Sequence, residues 1–275
     1  MSGRTKLYRM KRSIIKIFER YTTTPKLIKN WRLWAFRRAV SPWFSISLWA
    51  LSLNGERYYL GNDPIDDLIL VDVLQNHRHL YLPDKVIQDK DFLILDIGAH
   101  HGIVAVSMLL HFPKSFLIAV EPNPDAHQYL RRNLEANQLT IRVEIVKSAL
   151  SAFDGVGILS KGNKGSWSDT VVTDAKEASG DRVATNTITS ILQGRQPNLI
   201  KCNAEGAEYH LFPELFSQAI YPAFVILMAH PEFGSVDDLV FLFQRHGYQV
   251  VDVASGHHRP RLHCYLEDSP LLRRN

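Results

Sequence analysis

From residue 91 onward, short apolar runs of strand length alternate with longer amphipathic stretches, and that rhythm admits few architectures. Residues 92–97, 116–120 and 141–146 are the first three apolar runs. Between them, residues 102–111 and 123–137 have helical spacing, the second with Ala126, Tyr129, Leu130 and Leu134 on one face. Strands and helices in strict alternation predict a parallel sheet with right-handed crossovers, because each helix must cover the sheet it leaves. After a segment at 154–182 that is richer in Gly, Ser, Asp and Lys and reads as a hairpin or surface excursion, the alternation resumes. It gives strands at 199–202, 224–228, 248–253 and 263–266, with helices at 206–218 and 236–246. The last two strands are joined by Gly-His-His-Arg-Pro instead of a helix, which predicts antiparallel pairing. The expected fold class is α/β: a Rossmann-like, seven-stranded, mostly parallel sheet with an antiparallel last strand.

Ahead of this pattern the chain has a different character. Residues 1–38 hold twelve Lys and Arg against the single acid Glu19, a net charge of +11, whereas the remaining residues carry a net charge of −7. The division expected is a basic, aromatic-rich extension over residues 1–60 and a domain over 61–275, with its core at about 90–267. Within the extension, Ile14, Ile17 and Phe18 share a helical face while Lys11, Lys16 and Arg20 lie largely off it. Such a helix suits an anionic membrane surface, or an arm packed on the domain with its bases in water. Pro64 and the following acids predict a helix at 64–76. The 44–53 stretch is too short, and too interrupted by serine, for a membrane span. Two cysteines, Cys202 and Cys264, exclude a disulfide framework and a cysteine-rich zinc site. With no signal-peptide pattern at the start, a cytoplasmic protein is expected, with peripheral contact at the inner membrane face open to the arm.

The segment 95–102, Leu-Asp-Ile-Gly-Ala-His-His-Gly, is the most informative. A buried strand ends at Asp96, a glycine-bearing turn follows, and a helix begins near Gly102. Ligands of open α/β sheets sit at the carboxyl ends of strands, which is where this turn falls. Glu121 ends the next strand and is placed to accept from both ribose hydroxyls of an adenosine. A dinucleotide would need the middle glycine of G-x-G-x-x-G beside its pyrophosphate. Here the spacing is G-x-x-x-G with His100 and His101 inside it, and Asp96 would repel phosphates yet suit the ammonium of a methionine moiety. The residues favour an adenosyl cofactor without a pyrophosphate.

Four runs in order, Asp96-Ile-Gly-Ala-His-His-Gly102, Glu121-Pro-Asn-Pro124, Ser148-Ala-Leu-Ser151 and Leu199-Ile-Lys-Cys-Asn-Ala-Glu-Gly-Ala-Glu208, resemble the FkbM-type methyltransferase family over residues 90 to 255. The resemblance implies a class I methyltransferase fold, S-adenosyl-L-methionine as cofactor, and O-methylation of a sugar or natural-product hydroxyl. It places cofactor contacts on Asp96, Gly98, Ala99, Gly102, Glu121, Asn123, Ser148 and Ala149. Three acids common in the family are Thr189, Asn203 and Met228 here, while Lys201, Glu205, Glu208 and His230 remain. No metal is expected, and the histidine pairs at 77/79, 100/101 and 257/258 have no third ligand at a recognisable spacing.

Transfer to a hydroxyl calls for a base near the acceptor oxygen. His230, at a strand end, is the first candidate because imidazole titrates near neutral pH, and Glu205 is the second. A strand-end histidine held by hydrogen bonds and a helix start with favourable acids explain the same residues without catalysis. Two rival functions accompany this reading. One is a cofactor-binding protein that no longer catalyses, suggested by the three replaced acids. The other is an RNA methyltransferase using the N-terminal bases, against which the acidic body argues.

Overall fold

The computed structural model describes residues 27–40, 47–61, 64–74, 86–160, 170–172, 180–253 and 258–272. The proposed helix around Ile14 and Phe18, and the loop histidine His257, lie outside them. Among the described residues no helix is long and apolar enough to cross a membrane.

Seven strands form the central sheet: β3 (Leu93–Ile97), β4 (Phe116–Val120), β5 (Val143–Val146), β10 (Leu199–Cys202), β11 (Phe224–Met228), β12 (Tyr248–Asp252) and β13 (Arg261–Leu266), in the order β12-β13-β11-β10-β3-β4-β5. Strands β5, β4, β3, β10 and β11 are parallel, and β13 runs antiparallel to both β11 and β12, as expected. Successive side chains alternate between two cores. Ile94, Leu117, Ala119, Leu199, Phe224 and Ile226 face one side. Leu95, Ile97, Ile118, Val120, Ile200, Cys202, Val225 and Leu227 face the other. Burial on both faces is why these strands read as continuous apolar runs.

Helices α3 (Ile103–His111) and α4 (Pro124–Ala136) follow β3 and β4, whereas α5 (Ile188–Leu192) leads into β10, and α6 (Glu208–Ser217) and α7 (Val236–Arg245) follow β10 and β11. The chain leaves β3 toward β4 and later returns to β10 on its other side, so the direction of winding reverses between β3 and β10. That reversal opens a crevice at the carboxyl edge.

Several boundaries shift for local reasons. Residues 140–142 form a 3-10 turn with Ile141 exposed, so the third strand starts at Val143. Helix α6 starts at Glu208, not 206, because Glu205 and Gly206 have φ of +45° and +103°. The excursion after β5 is a second sheet, β6 (Ser148–Leu150), β7 (Gly155–Ser160), β8 (Thr170–Val172) and β9 (Asp181–Asn186), in the order β6-β9-β7-β8. Its β7–β8 and β7–β9 pairings are antiparallel, and β6 lies parallel to β9.

Residues 27–61 share the domain's core. Helix α1 (Trp31–Val40) and the hairpin β1 (Leu48–Leu51)–β2 (Arg57–Leu60) place Ile28, Trp34, Leu48, Ala50, Tyr58 and Leu60 among the side chains of α3, α4 and the sheet. Polar ties fix the docking. Asp67, buried on α2 (Pro64–Leu74), accepts from Trp34 Nε1 at 2.7 Å and from Arg37 at 2.8 and 2.9 Å. Asn137, just past α4, accepts from Arg57 N at 3.0 Å and donates to Arg57 O at 2.7 Å, so one side chain pairs with β2 as a strand would.

Candidate cofactor and acceptor site

Three strand ends meet at the crevice. The turn after β3 folds back so that Gly98 and Ala99 N–H donate to Val120 O at 3.0 and 3.1 Å. Gly98 (φ +73°) passes so close to the chain after β10 that a Cβ there would lie 2.0 Å from Asn203 O. Gly102 (φ +76°) is packed against α4, where a Cβ would meet Leu130 Cδ1 at 2.4 Å. Both glycines serve close approach of backbone to neighbouring elements, at φ values that side chains disfavour.

Between them His100 adopts φ +49° and points its N–H at Glu121 Oε2, 2.8 Å away. The second oxygen, Oε1, accepts from Asn123 N at 2.8 Å. Glu121 is thereby fixed in orientation, each oxygen keeping a further lone pair. Burial raises its pKa, against the two backbone hydrogen bonds and the Lys201 charge, which lower it. Asn123 is the N-cap of α4, its side chain accepting from Asp125 N at 2.9 Å. Ser148 and Ala149, both buried on β6, stand beyond β5, which is tied to β4 by Glu121 N donating to Val146 O at 3.1 Å.

Asp96 and Lys201 are cross-strand neighbours on β3 and β10. Lys201 Nζ lies 2.8 Å from Asp96 Oδ1 and donates to Gly98 O at 2.6 Å, pinning the turn. Neither Asp96 oxygen accepts a well-aligned hydrogen bond, and Asn203 Oδ1 and Ser148 Oγ are likewise buried without one. Buried polar atoms are rarely left so, and Asp96 and Asn203 belong to the paired strand ends of β3 and β10. The group that they fit carries an ammonium for the acid and hydroxyls for Glu121, without a diphosphate.

A stack of rings braces this loop from behind. His100 and His101 centroids are 3.8 Å apart, His101 lies 4.2 Å from Tyr129, Tyr129 5.6 Å from Tyr59, and Tyr59 4.9 Å from Trp49. Asp66 completes the support: Oδ1 is 2.6 Å from His101 Nδ1 and 3.9 Å from His100 Nδ1, and Oδ2 accepts from Gly61 N at 2.7 Å. The third group absent from the local spacing of the histidine pair therefore arrives from α2. Burial, then the His101 and Lys201 charges, push His100 well below its ordinary pKa, so its ring is neutral.

On the other side of the crevice, the residues expected to handle the acceptor form a charged cluster. His230, fully buried after β11, has Nδ1 2.8 Å from Glu208 Oε1 and Nε2 3.2 Å from Glu205 Oε1, and its N–H donates to Glu208 Oε1 at 2.9 Å. Burial alone would lower its pKa, but hydrogen bonds and charge from Glu205 and Glu208 prevail and raise it to about 9. The ring is an imidazolium at neutral pH. Held between Glu208 at Nδ1 and the Glu205 charge near Nε2, His230 favours its protonated form, an environment that speaks against a role as base. Glu205 is also held by Arg259, which donates to Oε1 at 2.9 Å and Oε2 at 3.0 Å and reaches Glu232 with its Nε at 3.0 Å. Glu205 retains some exposure (12% of its side chain) while Glu208 has none. Arg259, which sequence reasoning passed over, sits beside the His-His loop before β13, and only the fold brings it to Glu205.

The replaced acids have different fates. Asn203 ends β10 inside the crevice, Met228 ends β11, and Thr189 lies on α5 against α6, accepting from Gln218 Nε2 at 2.8 Å.

Comparison with known proteins agrees with the geometry. The family model "Methyltransferase FkbM domain" matches residues 96–250, more than half of the chain. A bifunctional methyltransferase of Rickettsia prowazekii (strain Madrid E) is 29% identical over 94 residues, covering 30% of this chain; the chain spans only 18% of that protein. Among solved structures, precorrin-6y C5,15-methyltransferase from Geobacter metallireducens is 17% identical at a TM-score of 0.40, covering 65% of this chain and 81% of the other. A methyltransferase from Pyrococcus furiosus is 18% identical at a TM-score of 0.38, covering 69% and 81%. The cofactor that the crevice fits is S-adenosylmethionine, and the chain belongs to the FkbM methyltransferase family.

Proposed function

We propose that this protein is an S-adenosylmethionine-dependent methyltransferase that methylates a hydroxyl on a sugar, glycan or natural product. The observation that carries the reading is the placement of Asp96, Glu121 and Asn203 at the carboxyl ends of β3, β4 and β10, with the partly exposed Glu205 two residues after Asn203. S-adenosylmethionine supplies an electrophilic methyl group. Asp96 holds the positive end of the methionine moiety and Glu121 the ribose, which orients the donor without a lid closing over phosphates. Glu205 is the carboxylate with access to an acceptor, and it accepts the hydroxyl proton. His230 and Arg259 position Glu205 from two sides, so the cost of ordering it is met in the folded protein. The basic sequence ahead of residue 27 is proposed to bring the enzyme to an anionic membrane, where lipid-linked saccharides are found.

Incubation with methyl-labelled S-adenosylmethionine and a panel of sugars tests the transfer. Label in an acceptor, lost in Glu205→Gln with cofactor affinity kept, supports the assignment. A protein that binds the cofactor and labels no acceptor favours the second reading, a non-catalytic cofactor binder. That reading draws on Asn203 and Met228 in place of acids and on the ion pairs with Arg259 and His230 that already occupy Glu205.

A further inference from the structure

The body of the protein is acidic, yet one concave surface gathers cations. Helix α4 buries Ala126, Leu130, Asn133 and Leu134, which turns residues 127, 128, 131, 132 and 135 outward. Between that face and β9 runs a cleft of about 580 Å³ lined by Arg131, Arg132, Lys147 and Arg182, with Glu135 the one carboxylate in its lining. Arg132 lies over the Tyr59 ring at 4.8 Å. Arg131, Lys147 and Arg182 make no ion pair among the described residues. At the upper end His127 Nε2 is 2.7 Å from Glu121 O, which ties the cleft to the strand that carries the ribose acid. Burial lowers the His127 pKa, and the charges of Lys147 and Arg131 lower it further, so both cations are within electrostatic reach of the ring.

Like charges brought together without counter-charges cost free energy, and a solvated face would scatter them. We propose that this cleft is a second ligand site, for a compact di- or polyphosphate such as the diphosphate of a nucleotide. The concave shape and volume suit a ligand of nucleotide size. An RNA strand would call for aromatic platforms and a longer positive track, and neither lines the cleft. A membrane surface requires a convex face. The lining begins at Pro122 and Pro124, beside the ribose acid, and from Pro124 to Glu135 the helix carries the cleft about 16 Å away from the carboxyl edge. The inference does not depend on the methyltransferase reading.

Calorimetry of the full chain with inorganic pyrophosphate, with and without saturating S-adenosylhomocysteine, tests it. Expected is salt-sensitive binding that persists with S-adenosylhomocysteine present, weakens about tenfold or more in Arg131→Glu/Arg182→Glu, and is unchanged in Lys90→Glu. S-adenosylhomocysteine affinity should be the same in all three proteins, which also certifies their folding. The proposal fails if pyrophosphate does not bind the wild type, if the double variant binds it equally, or if S-adenosylhomocysteine displaces it. It fails too if a single-stranded RNA or an anionic phosphatidylserine vesicle binds at the cleft and pyrophosphate does not compete.

Discussion

Raising the pH should unfasten the cluster around His230 before anything else in the site changes. The imidazole is protonated in the folded protein up to about pH 9, against 6.5 as its ordinary value. A folded pKa above the unfolded one means that the folded state binds the extra proton. The contribution is therefore complete below pH 6.5 and is lost as the pH rises through about 9. The difference corresponds to about 3 kcal/mol of stability at most, a large share of what a domain possesses. Urea denaturation followed by circular dichroism at a series of pH values reads it directly, since the midpoint tracks stability when the slope is constant. The wild type should lose stability steadily between neutral pH and pH 9, whereas His230→Gln, with no proton to lose, should show a flatter profile. That variant starts lower, by about 3 kcal/mol or more, because Glu205 and Glu208 then face each other without the cation. If it proves too unstable to titrate, the wild-type His230 ring resonance in NMR supplies the same test. A His230 titrating near or below 6.5, or parallel pH profiles for the two proteins, would refute the argument.

Three further outcomes are expected. Gly98→Ala, which sets a methyl against Asn203 O at φ +73°, should cost about 2 kcal/mol or more and lower the Tm by about 4 °C or more in differential scanning calorimetry. Glu121→Gln should weaken S-adenosylhomocysteine binding about tenfold to a hundredfold by calorimetry, and wild-type affinity should fall as the pH drops through the raised Glu121 pKa, because only the carboxylate accepts both hydroxyls. Asp67→Ala removes the carboxylate that pairs with buried Arg37 and should cost about 3–5 kcal/mol in chemical denaturation; an unchanged midpoint would mean that residues 27–61 do not share the domain's stability.

The parallel strands were legible because burial on both faces writes them as unbroken apolar runs, and Asp96 and Glu121 stood out as acids ending such runs. The second sheet was not legible. Its strand β6 is three residues long, β7 opens with two glycines in Gly-Val-Gly, and β9 mixes charged, small and polar residues as surface loops also do. The hairpin β1–β2 was hidden for another reason: the stretch around Trp49 reads as an apolar segment too short for a membrane span, while the packing partner of Tyr59, Tyr129, lies far along the chain. The charge of His230 was equally out of reach. Glu205 and Glu208 both point at one ring only because Glu205 takes a left-handed conformation just before α6 begins. Asp66 reaches His101 across 35 positions, a distance at which ligand spacing rules are silent.

The column of rings from Trp49 to His100 ties two events that are separate in most loop-lined pockets. Because each ring leans on the next, the turn between Gly98 and Gly102 gains its order when the hairpin docks, during folding, and not when a ligand arrives. Binding then spends little entropy on the loop, so donor and demethylated product should enter and leave a rigid mould at nearly equal conformational cost. A change at Trp49, on the outer surface, would loosen that mould from the far end of the column.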